Sequence, residues 1–145
     1  KWWESYVLAL FTSSKPKTEL KINVKSYDID YGGVVSNIVY IRWLEDLRLE
    51  LLKTLLPLSK QLYDGIAPVI LDTKISYKSP IRILDQPRGV MWIQDMTSVR
   101  WTVVAEFRVG ERIASRAKQI GAFVNLATGK PVRIPKRLAD QYRCG

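Results

Sequence analysis

The chain has 145 residues, 47% of them apolar and 26% charged, which suits one domain large enough to bury its own core. No His and a single Cys144 exclude an intrachain disulfide and a multi-cysteine metal site, and they remove the usual parts of zinc, Ser-His and Cys-His chemistry. Acid/base work then falls to carboxylates, Tyr, Lys or backbone groups, and the net charge of +9 leaves open nucleic acid, an anionic membrane surface, a phosphate-bearing small molecule or a merely cationic surface.

Residues 1–18 read as an N-terminal extension. Trp2, Trp3, Tyr6 and the run from Val7 to Phe11 are apolar, and residues 12–17 form a polar, Pro-containing linker. The run is too short to span a membrane. A targeting remnant, an extraneous leader and an extra strand or small helix capping the core stay open, with the cap favoured. A single domain is expected over residues 19–145.

Leu20, Ile22 and Val24 alternate with Glu19, Lys21, Asn23 and Lys25, the period-two pattern of a strand with one buried face. The most apolar helix is expected over residues 38–56. Tyr40, Leu44, Leu47, Leu51 and Leu55 form its stripe, and Ile41, Trp43, Leu49 and Leu52 widen it, so sheet is expected to wrap it on most sides. Arg42, Asp46, Arg48 and Glu50 are left as its polar face, Ser36 or Asn37 as its cap and Pro57 as its stop. After a short irregular or helical piece around Tyr63, Asp64 and Gly65, strands are expected over residues 69–78, 89–96, 101–109 and 112–125. Gly110-Glu111 and Thr128-Gly129-Lys130-Pro131 make turns, and a short helix follows Ile134-Pro135. Strand, long helix, then a meander of tight turns implies an α+β domain, a curved antiparallel sheet of about five strands around one long central helix. One helix cannot cover both faces of such a sheet, so association through an edge or the outer face is expected.

Strand and helix are joined by Ser26-Tyr27-Asp28-Ile29-Asp30-Tyr31-Gly32-Gly33-Val34-Val35-Ser36-Asn37. The double Gly permits a sharp turn, and Asp30 directly before it would sit beside a helix N-terminus. Unpaired backbone N–H groups there could hold a polarised carbonyl with the carboxylate set against it. An Asp before Gly-Gly is in isolation more often a turn-former. Glu45, Asp46 and Glu50 read most simply as solvated helix charges, and Asp28 as a cap or ion-pair partner.

These residues resemble the hotdog-fold acyl-CoA thioesterases of the hydroxybenzoyl-CoA type, including those encoded with the Tol-Pal system. The resemblance runs over residues 19–142. Tyr27-Asp28-Ile29-Asp30-Tyr31-Gly32-Gly33-Val34-Val35 is similar to the family's Asp-x-Asp-x-x-Gly-Val-Val signature, with Tyr40 following on the helix. Tyr77-Lys78-Ser79-Pro80 through Asp85 resembles its Tyr-x-x-Pro-x-x-x-x-Asp, and Arg133-Ile134-Pro135 adds to it. The resemblance implies a hotdog fold with the helix threading the sheet. It implies Asp30 as the carboxylate that attacks a thioester carbonyl or activates water, and the backbone N–H of Asn37 as the oxyanion donor. Tyr31, Gly33, Val34, Val35, Ser36, Tyr40 and Arg100 would line the substrate. Many relatives carry His at the position of Asn37, where this chain offers only an amide. Relatives with a basic run between the middle strands grip nucleotide phosphates there; here the turn is Thr97-Ser98-Val99-Arg100, so Arg82, Arg88 or the basic tail (Lys130, Arg133, Lys136, Arg137, Arg143) are further candidates.

The resulting expectation is a hydrolase of acyl-CoA or acyl-carrier-protein thioesters, with no cofactor beyond the coenzyme A of the substrate and no metal. A homodimer is implied, and a homotetramer as its assembly, in the cytoplasm, with a plastid or other organelle left open. The acyl group stays open among short, long and aromatic; no residue establishes a dihydroxynaphthoyl-CoA role. Two other readings stand beside this one. A hotdog module that binds an acyl ligand without turnover would not need Asp30. A basic nucleic-acid-binding domain predicts steeply salt-dependent affinity, and no basic-aromatic motif supports it.

Overall fold

β-branched and aromatic residues alternating with polar ones build the sheet of this chain, described here from a computed structural model over residues 15–144. Its strands are β1 (Lys17–Lys21), β2 (Ile66–Tyr77), β3 (Arg88–Met96), β4 (Trp101–Val109), β5 (Arg112–Asn125) and the two-residue β6 (Pro131–Val132). All pair antiparallel in the order β1-β3-β4-β5-β2, with β6 added to β5. The helices are α1 (Asn37–Leu52), α2 (Leu58–Asp64) and α3 (Lys136–Cys144). The α+β class and the antiparallel sheet agree with expectation; β6 was not foreseen. The apolar lead-in of residues 2–11, expected as a cap, lies outside the described residues.

The 16-residue α1 lays Val39, Tyr40, Trp43, Leu44, Leu47 and Leu51 on the sheet, where Met91, Ile93, Ala105 and Phe107 meet them. Its closest strands are β3 and β1. The sheet covers one face only. Ile38, Ile41 and Leu49 stay exposed, so the expectation of a helix wrapped on most sides does not hold within this chain. Nor does α1 reach residue 56. It closes at Leu52, and Pro57, which disfavours helical backbone in the residue before it, becomes the N-cap of α2. Gly65, at φ +68°, ends α2 and turns the chain into β2.

Arg48 departs from the polar face assigned to it. It lies on the flank of α1 that overhangs β5, half-buried, and its Nη1 donates to Gln119 Oε1, while Gln119 Nε2 donates to Thr73 Oγ1 at 3.1 Å. Burial lowers the Arg48 pKa, and the nearby Glu45 opposes that shift. This chain of hydrogen bonds ties α1 to β5 and β2, because a guanidinium in an apolar interface must find acceptors.

Of the described glycines, Gly121 has the least room, where β5 pairs with β4. Trp101 is paired with Gly121, and a Cβ at residue 121 would stand 2.1 Å from Trp101 Cζ2. Gly121→Ala is therefore expected to destabilise by about 3 kcal/mol, at the upper end of overpacking penalties. Urea denaturation would show it, and Trp101→Leu in the Gly121→Ala background should recover part of the loss. A Gly121→Ala midpoint equal to the parent's would contradict this packing.

Candidate functional site

A short loop carries the chain from β1 to α1, and backbone bonds close it at each step. Residues 26–28 make one 3-10 turn, and the buried Asp28 accepts the Lys25 N–H on Oδ2 at 2.9 Å, the cap foreseen for it. Ile29 and Val35 form an isolated antiparallel bridge. Within it, Asp30 N–H donates to Val34 O at 2.9 Å and Gly33 N–H to Asp30 O at 3.0 Å. Gly33 takes φ +79°, a conformation that side chains resist, so the double Gly makes the turn as expected. The bridge leaves Asp30 within the turn, and beyond it the Ser36 N–H donates to Asp28 O at 2.9 Å, so α1 opens alongside the start of the loop.

The Asp30 carboxylate is exposed, and its Oδ1 accepts the Gly32 N–H at 2.8 Å. That bond locks the side chain over the turn. Ser36 is the N-cap of α1 and its side chain makes no capping bond, against the expectation that Ser36 or Asn37 would cap. The Asn37 N–H, at the first position of the helix, has no acceptor among the described residues. The site thus joins a fixed, solvent-facing carboxylate to the positive end of a four-turn helix, an arrangement suited to holding a developing oxyanion beside a base.

Two further strands of support reach the loop from residues 77–81. Val35 N–H donates to Ile81 O at 2.8 Å, and Tyr77 Oη donates to Asn37 O at 3.0 Å. That segment is itself braced: Lys78 and Ser79 N–H both donate to Ala114 O, and Arg112 Nη1 donates to Ser79 Oγ at 2.6 Å and to Pro80 O at 2.8 Å. From the sequence Tyr77 is one face residue of the strand expected over residues 69–78 and the first residue of the Tyr-x-x-Pro run. Its place against Asn37, 40 residues away in the chain, depends on β2 pairing with β5 and carries no local signal.

The remaining expected site residues fall in three places. Tyr31 and Gly33 project from the exposed loop tip, Val34 is half-buried, and Val35 is buried beneath the loop. Tyr40 is 2% exposed, edge-on to Tyr77, Trp43 and Phe107 at centroid distances of 5.2, 5.1 and 5.5 Å. Burial foremost, and then Tyr77, push its hydroxyl up to about 12, with Arg112 pulling the other way. Tyr40 can act on a pocket only through packing. Arg100 is not brought to Asp30: it lies in the β3–β4 turn, where Trp101 and Met96 meet Leu51 and Leu52 of the last turn of α1. A 16-residue helix separates the two ends by about 24 Å. The basic tail shares the Arg100 end, since Ile134 N–H donates to Ser98 O and Arg137 Nη2 to Thr54 O. Arg82 and Arg88 lie at the Asp30 end. An open groove of about 520 Å³ lies between residues 21–24, at and beyond the end of β1, and residues 83–88.

Among the described residues no group of three or more His, Cys, Asp or Glu side chains is placed to hold a metal ion, and no helix is long and apolar enough to cross a membrane.

Residues 24–142 match the profile of the thioesterase-like superfamily. No curated protein sequence matches the chain. Among solved structures, a probable thioesterase from Bartonella henselae is similar at a TM-score of 0.78 and 23% identity, over 82% of this chain and 99% of that one. A Staphylococcus aureus protein solved in complex with CoA superposes at 0.83 with 17% identity, over 90% and 84%. A DHNA-CoA thioesterase from Staphylococcus aureus superposes at 0.76 with 20% identity, over 88% and 85%. At these identities the likeness carries the fold, a hotdog-like α+β sheet.

Proposed function

We propose that this chain, which belongs to the thioesterase-like superfamily, hydrolyses acyl-CoA or acyl-carrier-protein thioesters within the hydroxybenzoyl-CoA type branch of that superfamily. One pair of observations supports the reading: the exposed Asp30 carboxylate is held by the Gly32 N–H in the loop that leads into α1, and the Asn37 N–H at the start of that helix has no acceptor among the described residues. A pure acyl-binding module has no need of that pairing.

Water attacks the thioester carbon while Asp30 takes its proton, or Asp30 itself attacks and water later opens the anhydride. In either course the carbonyl oxygen becomes an oxyanion beside the Asn37 N–H, the C–S bond breaks and thiolate leaves, taking the proton that Asp30 drew from water in the first course and a proton from solvent in the second. Water and thioester give acid and thiol. Thiolate leaves readily, so one base or nucleophile and one oxyanion donor are sufficient. The CoA in one structural neighbour and the CoA ester named for another support CoA as the carrier. Lys21, Arg82 and Arg88 are the cations at the Asp30 end suited to its phosphates; Arg100 and the tail would serve only from a second copy of the chain. Among the described residues β2 is a sheet edge paired only with β5, and the exposed Ile38, Ile41, Ile70 and Leu71 on or beside it would suit such a copy. A dimer through that edge, and a tetramer built from it, belong to this reading.

Thiol release from short-chain, long-chain and aromatic acyl-CoAs, followed with a thiol-reactive dye, tests it. Turnover on at least one member is expected, and the ranking describes the pocket. No release from any CoA ester or acyl-carrier protein would leave an acyl-binding module.

A further inference from the structure

We propose that Tyr77 is a positioning residue, whose hydroxyl fixes the first turn of α1 so that the Asn37 N–H stays aimed at the reacting carbonyl; the inference rests on the hydrolase reading above. Its Oη donates to Asn37 O at 3.0 Å from the last residue of β2. The first turn of a helix is its least constrained part, because its N–H groups have no partners within the helix. Here the N-cap side chain adds nothing. Among the described residues Tyr77 supplies the side-chain hydrogen bond to that turn, and it does so from a rigid support. Its ring stands edge-on to the buried Tyr40, and the next two residues are bonded to Ala114 O. Burial raises its pKa, so the hydroxyl remains a donor through the neutral range.

The bond also joins both halves of the site. Ile81 O holds Val35 on the Asp30 side, and Tyr77 holds Asn37 on the helix side, four residues apart in a segment pinned by Arg112. Carboxylate loop and oxyanion donor are therefore referred to one piece of backbone. A displacement of about 1 Å between reacting groups can lower a rate by up to about 10²-fold, so a lost clamp has a kinetic effect larger than its effect on stability.

Tyr77→Phe isolates the hydroxyl, since the ring contact with Tyr40 survives. Its kcat on the best acyl-CoA of the panel is expected to fall by about tenfold with KM within about twofold, less than the loss from removing an oxyanion donor outright. The melting temperature should stay within about 2 °C, as one exposed hydrogen bond contributes little. 15N relaxation of the ligand-free protein should show new motion at Asn37, Ile38 and Ile41 and nowhere else in α1. A kcat within twofold of the parent, or unchanged relaxation at those three amides, overturns the proposal. If the parent itself releases no thiol, the hydrolase reading fails, and the relaxation data still decide whether Tyr77 holds the turn.

Discussion

Asp30→Asn is expected to lower kcat by about 10³-fold or more on whichever thioester the parent cleaves, towards the upper part of the 10²–10⁴-fold range of general bases. The substitution is chosen for what it keeps. The Asn side-chain oxygen can still accept the Gly32 N–H, so the turn that Asp30 Oδ1 locks is preserved. The loop backbone bonds from Asp30 to Val34 and from Gly33 to Asp30 do not involve the side chain at all. Asp30 is exposed, so no core contact is lost, and the melting temperature should match the parent's. What disappears is the capacity to take a proton or form an acyl anhydride. Asp30→Ala would be a poorer probe, because it also frees the Gly32 N–H and loosens the turn. Turnover of Asp30→Asn within tenfold of the parent would remove Asp30 from the chemistry and return it to the role of a turn-former.

The strands were readable because their signal is local. Trp101 to Val109 alternates between faces of a sheet, and β4 spans those residues. Gly110 supplies the positive φ that its hairpin requires. The turn from Asp30 to Gly33 was equally legible, since an acid before two glycines has few conformations. Failures came where a distant partner decides the outcome. Arg48 looked like one charge among several on a helix surface, and only the position of Gln119 on β5 draws it inward. α1 looked four residues longer because Thr54, Leu55 and Leu56 continue an acceptable helical pattern up to Pro57, which was read as its stop; the helix instead closes at Leu52. Tyr40 was offered as a pocket residue by the resemblance alone, beside the reading that an aromatic near a helix start packs the core, and it stands buried in the aromatic cluster. Arg100 was grouped with the site by analogy alone, and sheet geometry puts it at the other end of α1.

Replacing Asn37 by Pro separates the backbone from the side chain at the start of α1, and it is expected to lower kcat by about 10²–10³-fold, the usual effect of deleting an oxyanion donor. Proline is favoured at the first position of a helix, where the N–H it lacks has no partner within the helix. The residue before it must be extended, and Ser36 already sits at φ −63°, ψ 142°. Asn37 is exposed, so the ring has room, and the Asn37 carbonyl that accepts from Tyr77 is retained. The fold should therefore survive with one N–H removed. Asn37→Ala is the opposite change: it keeps the N–H, discards the amide side chain, and is expected to hold kcat within about threefold of the parent, below the effect of any lost donor. Steady-state kinetics on both variants, with far-UV circular dichroism to verify the helix, read the difference. If Ala were as damaging as Pro, the side-chain amide would be the group that acts. If neither lowered kcat, the oxyanion would have to be held elsewhere, and the unpaired N–H at the mouth of α1 would be an ordinary helix end.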